Sequence, residues 1–127
     1  MSDLTTLTPE ALQGRVVAIL AKAGLNAVQA GAIARVIVAG ERDACKSHGI
    51  YRIEGVLRAV KAGKARPDVV PELAQADDSA IVRVDAKSGF SNPAFELGAP
   101  VLAERARRFG IAALAINDCT HFAALWP

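Results

Sequence analysis

The run Ala80-Ile81-Val82-Arg83-Val84-Asp85 is rich in β-branched residues and reads as a short strand. Lys87-Ser88-Gly89-Phe90-Ser91-Asn92-Pro93 follows as turn chemistry, and a helical pattern then runs from about Pro93 to Phe109. Gly110 ends that helix, and Ile111-Ala112-Ala113-Leu114-Ala115-Ile116 is a second, fully apolar strand. Strand, helix and strand in this order predict a crossover unit on a sheet covered by helices. The crossover is expected to be right-handed if the two strands are parallel neighbours. Pro100 is expected to kink the helix or mark a restart. His121, in Cys119-Thr120-His121-Phe122-Ala123, falls just beyond a strand's carboxyl end, where open α/β sheets place ligands.

Upstream the periodicity is helical. Thr8-Pro9-Glu10 is a helix start: the hydroxyl caps free amides, proline tolerates the first helical position, and glutamate suits the positive end. Leu12, Val16, Ile19 and Leu20 recur at helical spacing until Gly24. Asn26 can cap a second helix whose Val28, Ala32, Val36 and Ala39 line one face, with Ile33 and Ile37 widening it. So apolar a circumference belongs at the centre of the packing. A third pattern runs through Ile50, Ile53, Val56, Leu57 and Val60 to Gly63, and Pro67 and Pro71 mark an extended connector. The chain therefore divides into a helical region over 1–75 and the opening of an α/β domain over 76–127.

The bulk numbers set limits. At 127 residues the chain has the length of one ordinary domain, and 52% apolar with 5% aromatic residues suits close helix packing. A formal charge of +2 is too small to argue for nucleic acid. The one basic cluster, Arg105-Ala106-Arg107-Arg108, lies late in a helical pattern, where cations complement the dipole; phosphate binding is the other reading. The N-terminus has no signal-peptide pattern and no apolar stretch is long enough to span a bilayer, so a cytoplasmic protein without membrane contacts is expected. Cys45 and Cys119 lack metal-ligand spacing; free thiols and no metal site are expected.

The chemistry concentrates at Ser47-His48-Gly49-Ile50-Tyr51-Arg52, which with His121 contains the only two histidines. If the third helix begins at about Ser47, its free amides make a positive end near His48. Arg52, four residues on, would share a helical face and could hold a carboxylate through two parallel hydrogen bonds. A proton donor beside an anion anchor suits protonation of a carbonyl or imine next to a carboxylate. The plain alternative is that Ser47 is a helix cap, His48 an exposed first-turn residue, Gly49 a turn glycine and Arg52 a solvated charge; His121 alone could be an ordinary loop histidine. No G-x-G-x-x-G or G-x-S-x-G pattern supports a Rossmann site or a nucleophile elbow.

The chain resembles the malate/L-lactate dehydrogenase family that is unrelated to the Rossmann enzymes. The resemblance rests on Ser47-His48-Gly49 with Arg52, on Val84-Asp85 with Gly89-Phe90, and on Gly110-Ile111-Ala112 leading to Thr120-His121-Phe122. The ending His121-Phe122-Ala123-Ala124-Leu125-Trp126-Pro127 is most similar to the branch that reduces cyclic imino acids, the Δ1-piperideine-2-carboxylate and Δ1-pyrroline-2-carboxylate reductases. The resemblance implies His48 as proton donor, Ser47 in a relay beside it, and Arg52 on the substrate carboxylate. It implies a catalytic share for His121, and His121, Phe122, Ala123, Ala124 and Leu125 against the cofactor, NADPH in preference to NADH. It also implies a homodimer, and further chain beyond Pro127 that supplies most cofactor contacts and a relay aspartate.

The expected fold is thus α/β: an N-terminal helical region followed by the first strand-helix-strand unit of a non-Rossmann mixed-sheet cofactor domain, truncated. The expected function is NAD(P)H-dependent reduction of a cyclic imino acid. Two alternatives stand beside it: a malate-, lactate- or ureidoglycolate-type 2-hydroxy acid dehydrogenase, and a non-catalytic fragment acting as a folded interaction module, associated with the missing C-terminal portion or another partner.

Overall fold

The computed structural model describes residues 5–74 and 78–121. Helix α1 (Pro9–Lys22) starts as its sequence dictates, with the Thr8 hydroxyl accepting from the Ala11 amide at 3.2 Å. It stops before Gly24, whose φ of +95° a side chain would resist. Helix α2 (Ala27–Arg42) is capped by Asn26, whose Oδ1 accepts from the Gln29 amide at 2.9 Å. Its residues Ala30, Ile33, Ala34 and Ile37 are buried against Val16 and Leu20 of α1. Each large aliphatic side chain removed from water there stabilises the fold by about 1.5–3 kcal/mol.

After α2 comes a difference from the expected layout. The third helix does not begin at Ser47. A short 3-10 turn spans Lys46–His48, and helix α3 (Arg52–Lys61) starts four residues later. The reason lies in packing. The turn presses on α2 so closely that a Cβ at Gly40 would sit 2.6 Å from the His48 carbonyl group. A Cβ at Gly49 would likewise collide with the Glu41 carboxylate, which accepts from the Ile50 amide at 2.9 Å. Gly49 has φ of −85°, so it is required for close approach and not for an unusual backbone angle. Because Glu41 satisfies Ile50 N–H, the chain turns there before helix α3 begins.

Beyond the connector, among the described residues, the sheet has three strands in the order β1 (Glu72–Leu73), β2 (Ile81–Asp85) and β3 (Ala113–Asn117). Strands β2 and β3 are parallel neighbours, with Val84 opposite Ile116, as the sequence order predicts. The two-residue β1 pairs antiparallel with β2 and is too short to show a period in sequence. Helix α4 (Ser91–Phe109) joins β2 to β3 and runs without interruption through Pro100. The expected restart at Pro100 does not occur, because one missing amide is offset by the packing of Ala94, Leu97 and Gly98 on the sheet. Gly98 makes that packing close: a Cβ there would meet Leu114 at 2.6 Å and Val84 at 3.1 Å.

Two apolar clusters result, one among α1, α2 and α3, the other between α4 and β2–β3. Phe90, in the turn before α4, packs into the first cluster. Gln29, fully buried on α2, binds the same turn: its Oε1 accepts from the Phe90 amide at 3.1 Å while its Nε2 donates to the Val69 carbonyl at 3.1 Å. Helices and sheet are thereby joined by one satisfied polar side chain. Among the described residues, no helix is long and apolar enough to cross a membrane.

Candidate active site

The 3-10 turn brings two side chains to one ring nitrogen of a third. Ser47 Oγ lies 3.0 Å from His48 Nδ1, and Cys45 Sγ lies 3.5 Å from the same atom and 3.7 Å from Ser47 Oγ. With Nδ1 engaged by a hydroxyl and a thiol, proton exchange with a ligand falls to Nε2. His48 is half-buried and Ser47 exposed, so the ring is both held and within reach. Cys45, read from sequence only as an isolated free thiol, is thus part of the cluster. Its spacing gave a signal, two residues before Ser47 and three before His48, but only the tight turn converts that spacing into contact.

Arg52 reaches this cluster by a different route from the one expected. His48 and Arg52 do not share one α-helical face, since α3 begins at Arg52 itself. Instead Arg52 Nε donates to the Ser47 carbonyl oxygen at 2.7 Å, which turns the guanidinium back over the 3-10 turn. Ser47 is therefore not a helix cap. Its hydroxyl meets His48 and its carbonyl meets Arg52, so one residue connects the candidate proton donor to the candidate anion anchor. The turn is braced from α2, where Lys46 Nζ lies 2.8 Å from Glu41. The ammonium bond, then the Ile50 amide, hold the Glu41 carboxyl below the usual carboxylate range, against the opposing effect of burial.

His121 is exposed, beyond the carboxyl end of β3. Ser91, the buried first residue of α4, places Oγ 3.2 Å from His121 Nδ1. The backbone is pinned as well: Thr120 N–H donates to Gly89 O at 2.8 Å, and Ser91 N–H donates to Thr120 O at 3.0 Å. The remaining expected cofactor contacts, Phe122, Ala123, Ala124 and Leu125, lie outside the described residues.

Left-handed backbone gathers at these two places. Among the described residues, the non-glycine residues with positive φ are Ala44, just before Cys45, and Lys87, Ser88 and Asp118, in the turns after β2 and β3. Such angles are disfavoured and persist where surrounding bonds enforce them. Here the Ser88 amide donates to Asp118 O at 2.7 Å and its hydroxyl to the Asp118 carboxylate at 2.9–3.0 Å. The late arginines, for which phosphate binding was one reading, are engaged internally: Arg105 and Arg108 both bond Asp78. Among the described residues no three His, Cys, Asp or Glu side chains gather as metal ligands.

A Ser-His turn with an arginine bent over it and a second histidine beyond β3 thus stand on one small α/β fold. Residues 7–127 match the malate/L-lactate dehydrogenase family, and the chain belongs to that family. It is 72% identical over its whole length to a Delta(1)-pyrroline-2-carboxylate reductase of Agrobacterium fabrum, of which it spans 37%. It is 46% identical to a Delta(1)-pyrroline-2-carboxylate/Delta(1)-piperideine-2-carboxylate reductase of Pseudomonas aeruginosa, with 94% of this chain and 36% of that protein aligned. The structure of delta1-piperideine-2-carboxylate reductase from Pseudomonas syringae superposes with a TM-score of 0.90 at 35% identity, covering 98% of this chain and 37% of that one. The chain thus spans about a third of the length of the relatives it matches.

Proposed function

We propose that this chain is the leading part of an NADPH-dependent reductase of a cyclic imino acid, Δ1-pyrroline-2-carboxylate or Δ1-piperideine-2-carboxylate. The observation that carries the reading is the Ser47-centred connection of His48 to Arg52, supported by 72% identity to a protein named for that reaction. The guanidinium of Arg52 takes the carboxylate. His48 gives a proton through Nε2 to the ring nitrogen of the imine, and Ser47 holds Nδ1 through that transfer.

Reduction needs a hydride at the imine carbon, which a bound nicotinamide cofactor supplies. Residues at the sheet's carboxyl end fit such a ligand: His121 is exposed, ordered by Ser91, and stands beside the N-terminus of α4, whose amides favour anions. His121 and Phe122–Leu125 would hold the nucleotide. Residues 1–75 would carry the substrate chemistry and 76–127 the opening of the cofactor domain, in a cytoplasmic homodimer as the resemblance implies.

The reading is tested by joining residues 1–127 to the remaining C-terminal part of the Agrobacterium reductase. That chimera is assayed with both imino acids, malate, lactate and ureidoglycolate, each with NADPH and NADH. The expected result is imine reduction with NADPH as the better cofactor. Turnover confined to a 2-hydroxy acid would overturn the substrate assignment.

A further inference from the structure

The Ser-His turn is tied to α2 at both ends, by unlike means. At its entry the tie is backbone: Cys45 N–H donates to Gly40 O at 2.8 Å, and His48 N–H to Cys45 O at 2.9 Å. At its exit the tie is a side chain, the Glu41 carboxylate that accepts from Ile50 N–H at 2.9 Å. Gly40 and Gly49 leave room for this contact, since a Cβ on the first would strike the His48 carbonyl and one on the second the Glu41 carboxylate. Ser47 and His48 lie between the two ties, and the Ser47 carbonyl is the acceptor for Arg52 Nε. The positions of ring and guanidinium therefore depend on where the exit is held.

Two bonds meet at the Glu41 carboxylate, and they differ in what they can fix. The Lys46 ammonium, at 2.8 Å, is the larger cause of the lowered carboxyl, yet its side chain is 77% exposed and so solvated a pair fixes little. The Ile50 amide belongs to the backbone, so its bond sets the path of the chain. What that amide needs from residue 41 is an acceptor oxygen at the reach of glutamate. A neutral carboxamide supplies one, whereas an aspartate, one methylene shorter, stops about 1.5 Å short.

We propose that Glu41 is a positioning residue of the substrate site. Through the Ile50 amide it holds the turn so that His48 Nδ1 meets Ser47 Oγ and Arg52 Nε meets the Ser47 carbonyl, and it does so by reach and not by charge. The role in turnover rests on the proposed reductase reading; the hold on the ring does not.

Glu41→Gln, Glu41→Asp and Glu41→Ala are compared in two settings. In this chain, with His121→Gln leaving His48 as the single imidazole, ring ¹H–¹⁵N correlation spectra read the hold without cofactor or turnover. Parent and Gln variant should share one set of His48 ring signals, while the Asp and Ala variants shift or broaden them within a retained amide spectrum. In the chimera, the Gln variant should keep kcat/KM for the imino acid within about threefold, and the Asp and Ala variants should lose about tenfold, the effect of one charged hydrogen bond. NADPH affinity, read by fluorescence titration, should stay in place throughout, which a general loss of structure would not allow. An Asp variant that matches the parent, a Gln variant as impaired as Ala, or an Asp chain that loses its amide dispersion overturns the proposal. Ring signals that behave as expected beside a chimera that reduces no imine would uphold the hold and overturn the reductase reading instead.

Discussion

Arg52 Nε donates to the carbonyl oxygen of Ser47 at 2.7 Å, so the proposed anion anchor is oriented by the residue that also holds the proposed proton donor, His48. A lysine keeps the charge but cannot make this bond and present a planar fork to a carboxylate as well. In the chimeric enzyme, Arg52→Lys should raise KM for the imino acid about 10- to 100-fold, the effect of losing about 1.5–3 kcal/mol of charged hydrogen bonding. Steady-state kinetics with varied imino acid reads this, and an unchanged KM would remove Arg52 from the substrate site.

Glu41 braces the 3-10 turn from α2, and its carboxyl is held low first by the Lys46 ammonium and then by the Ile50 amide. A carboxylate with a depressed folded-state value stabilises the fold fully above its ordinary value, and the gain is lost as pH falls through the depressed value. Glu41→Ala should therefore destabilise the chain by about 1–2 kcal/mol at neutral pH. Urea titrations of both chains at descending pH should show the gap closing only below the ordinary carboxylate range.

Gln29 satisfies the Phe90 amide and the Val69 carbonyl at once from a fully buried position. Gln29→Leu keeps the volume and orphans both groups, so a loss of about 2–4 kcal/mol is expected in urea unfolding. Gly89→Ala should be no milder, because its Cβ would lie 2.3 Å from Gln29 Nε2 and 2.9 Å from the Ala86 carbonyl oxygen.

Much of this arrangement is legible along the chain, and the exceptions have physical reasons. Thr8 and Asn26 cap their helices because capping is local chemistry, readable within four residues. Val82 and Val84 go inward on β2 and pair with β3 in parallel, as strand order implies. The start of α3 is not local: Glu41, nine residues before Ile50, satisfies the amide that a continuous helix would have used. The same holds for Gly40 and Gly49, whose need appears only when α2 and the turn touch. At the site, Ser47, His48 and Arg52 are recognisable by type, yet the bond from Arg52 to the Ser47 backbone leaves no mark in the sequence. Cys45 and Ser91 carry no distinctive mark in the sequence, because a free thiol and a turn serine are common features with many uses.

Cys45 touches both His48 Nδ1 and Ser47 Oγ, at 3.5 and 3.7 Å. Thiol contacts are weak, so Cys45→Ala should lower kcat of the chimera only about two- to tenfold, equivalent to about 0.4–1.4 kcal/mol. KM should stay in place, since the thiol orders the proton donor and not the carboxylate site. A change in KM alone would assign Cys45 to substrate binding instead.

The central claim is that His48 protonates the imine. The most direct measurement is kcat for Δ1-pyrroline-2-carboxylate reduction by the chimera carrying His48→Ala, beside the parent. A positioned general acid contributes about 10²- to 10⁴-fold, so a fall of at least about a hundredfold with little change in KM is predicted. A kcat within about threefold of the parent would contradict the account.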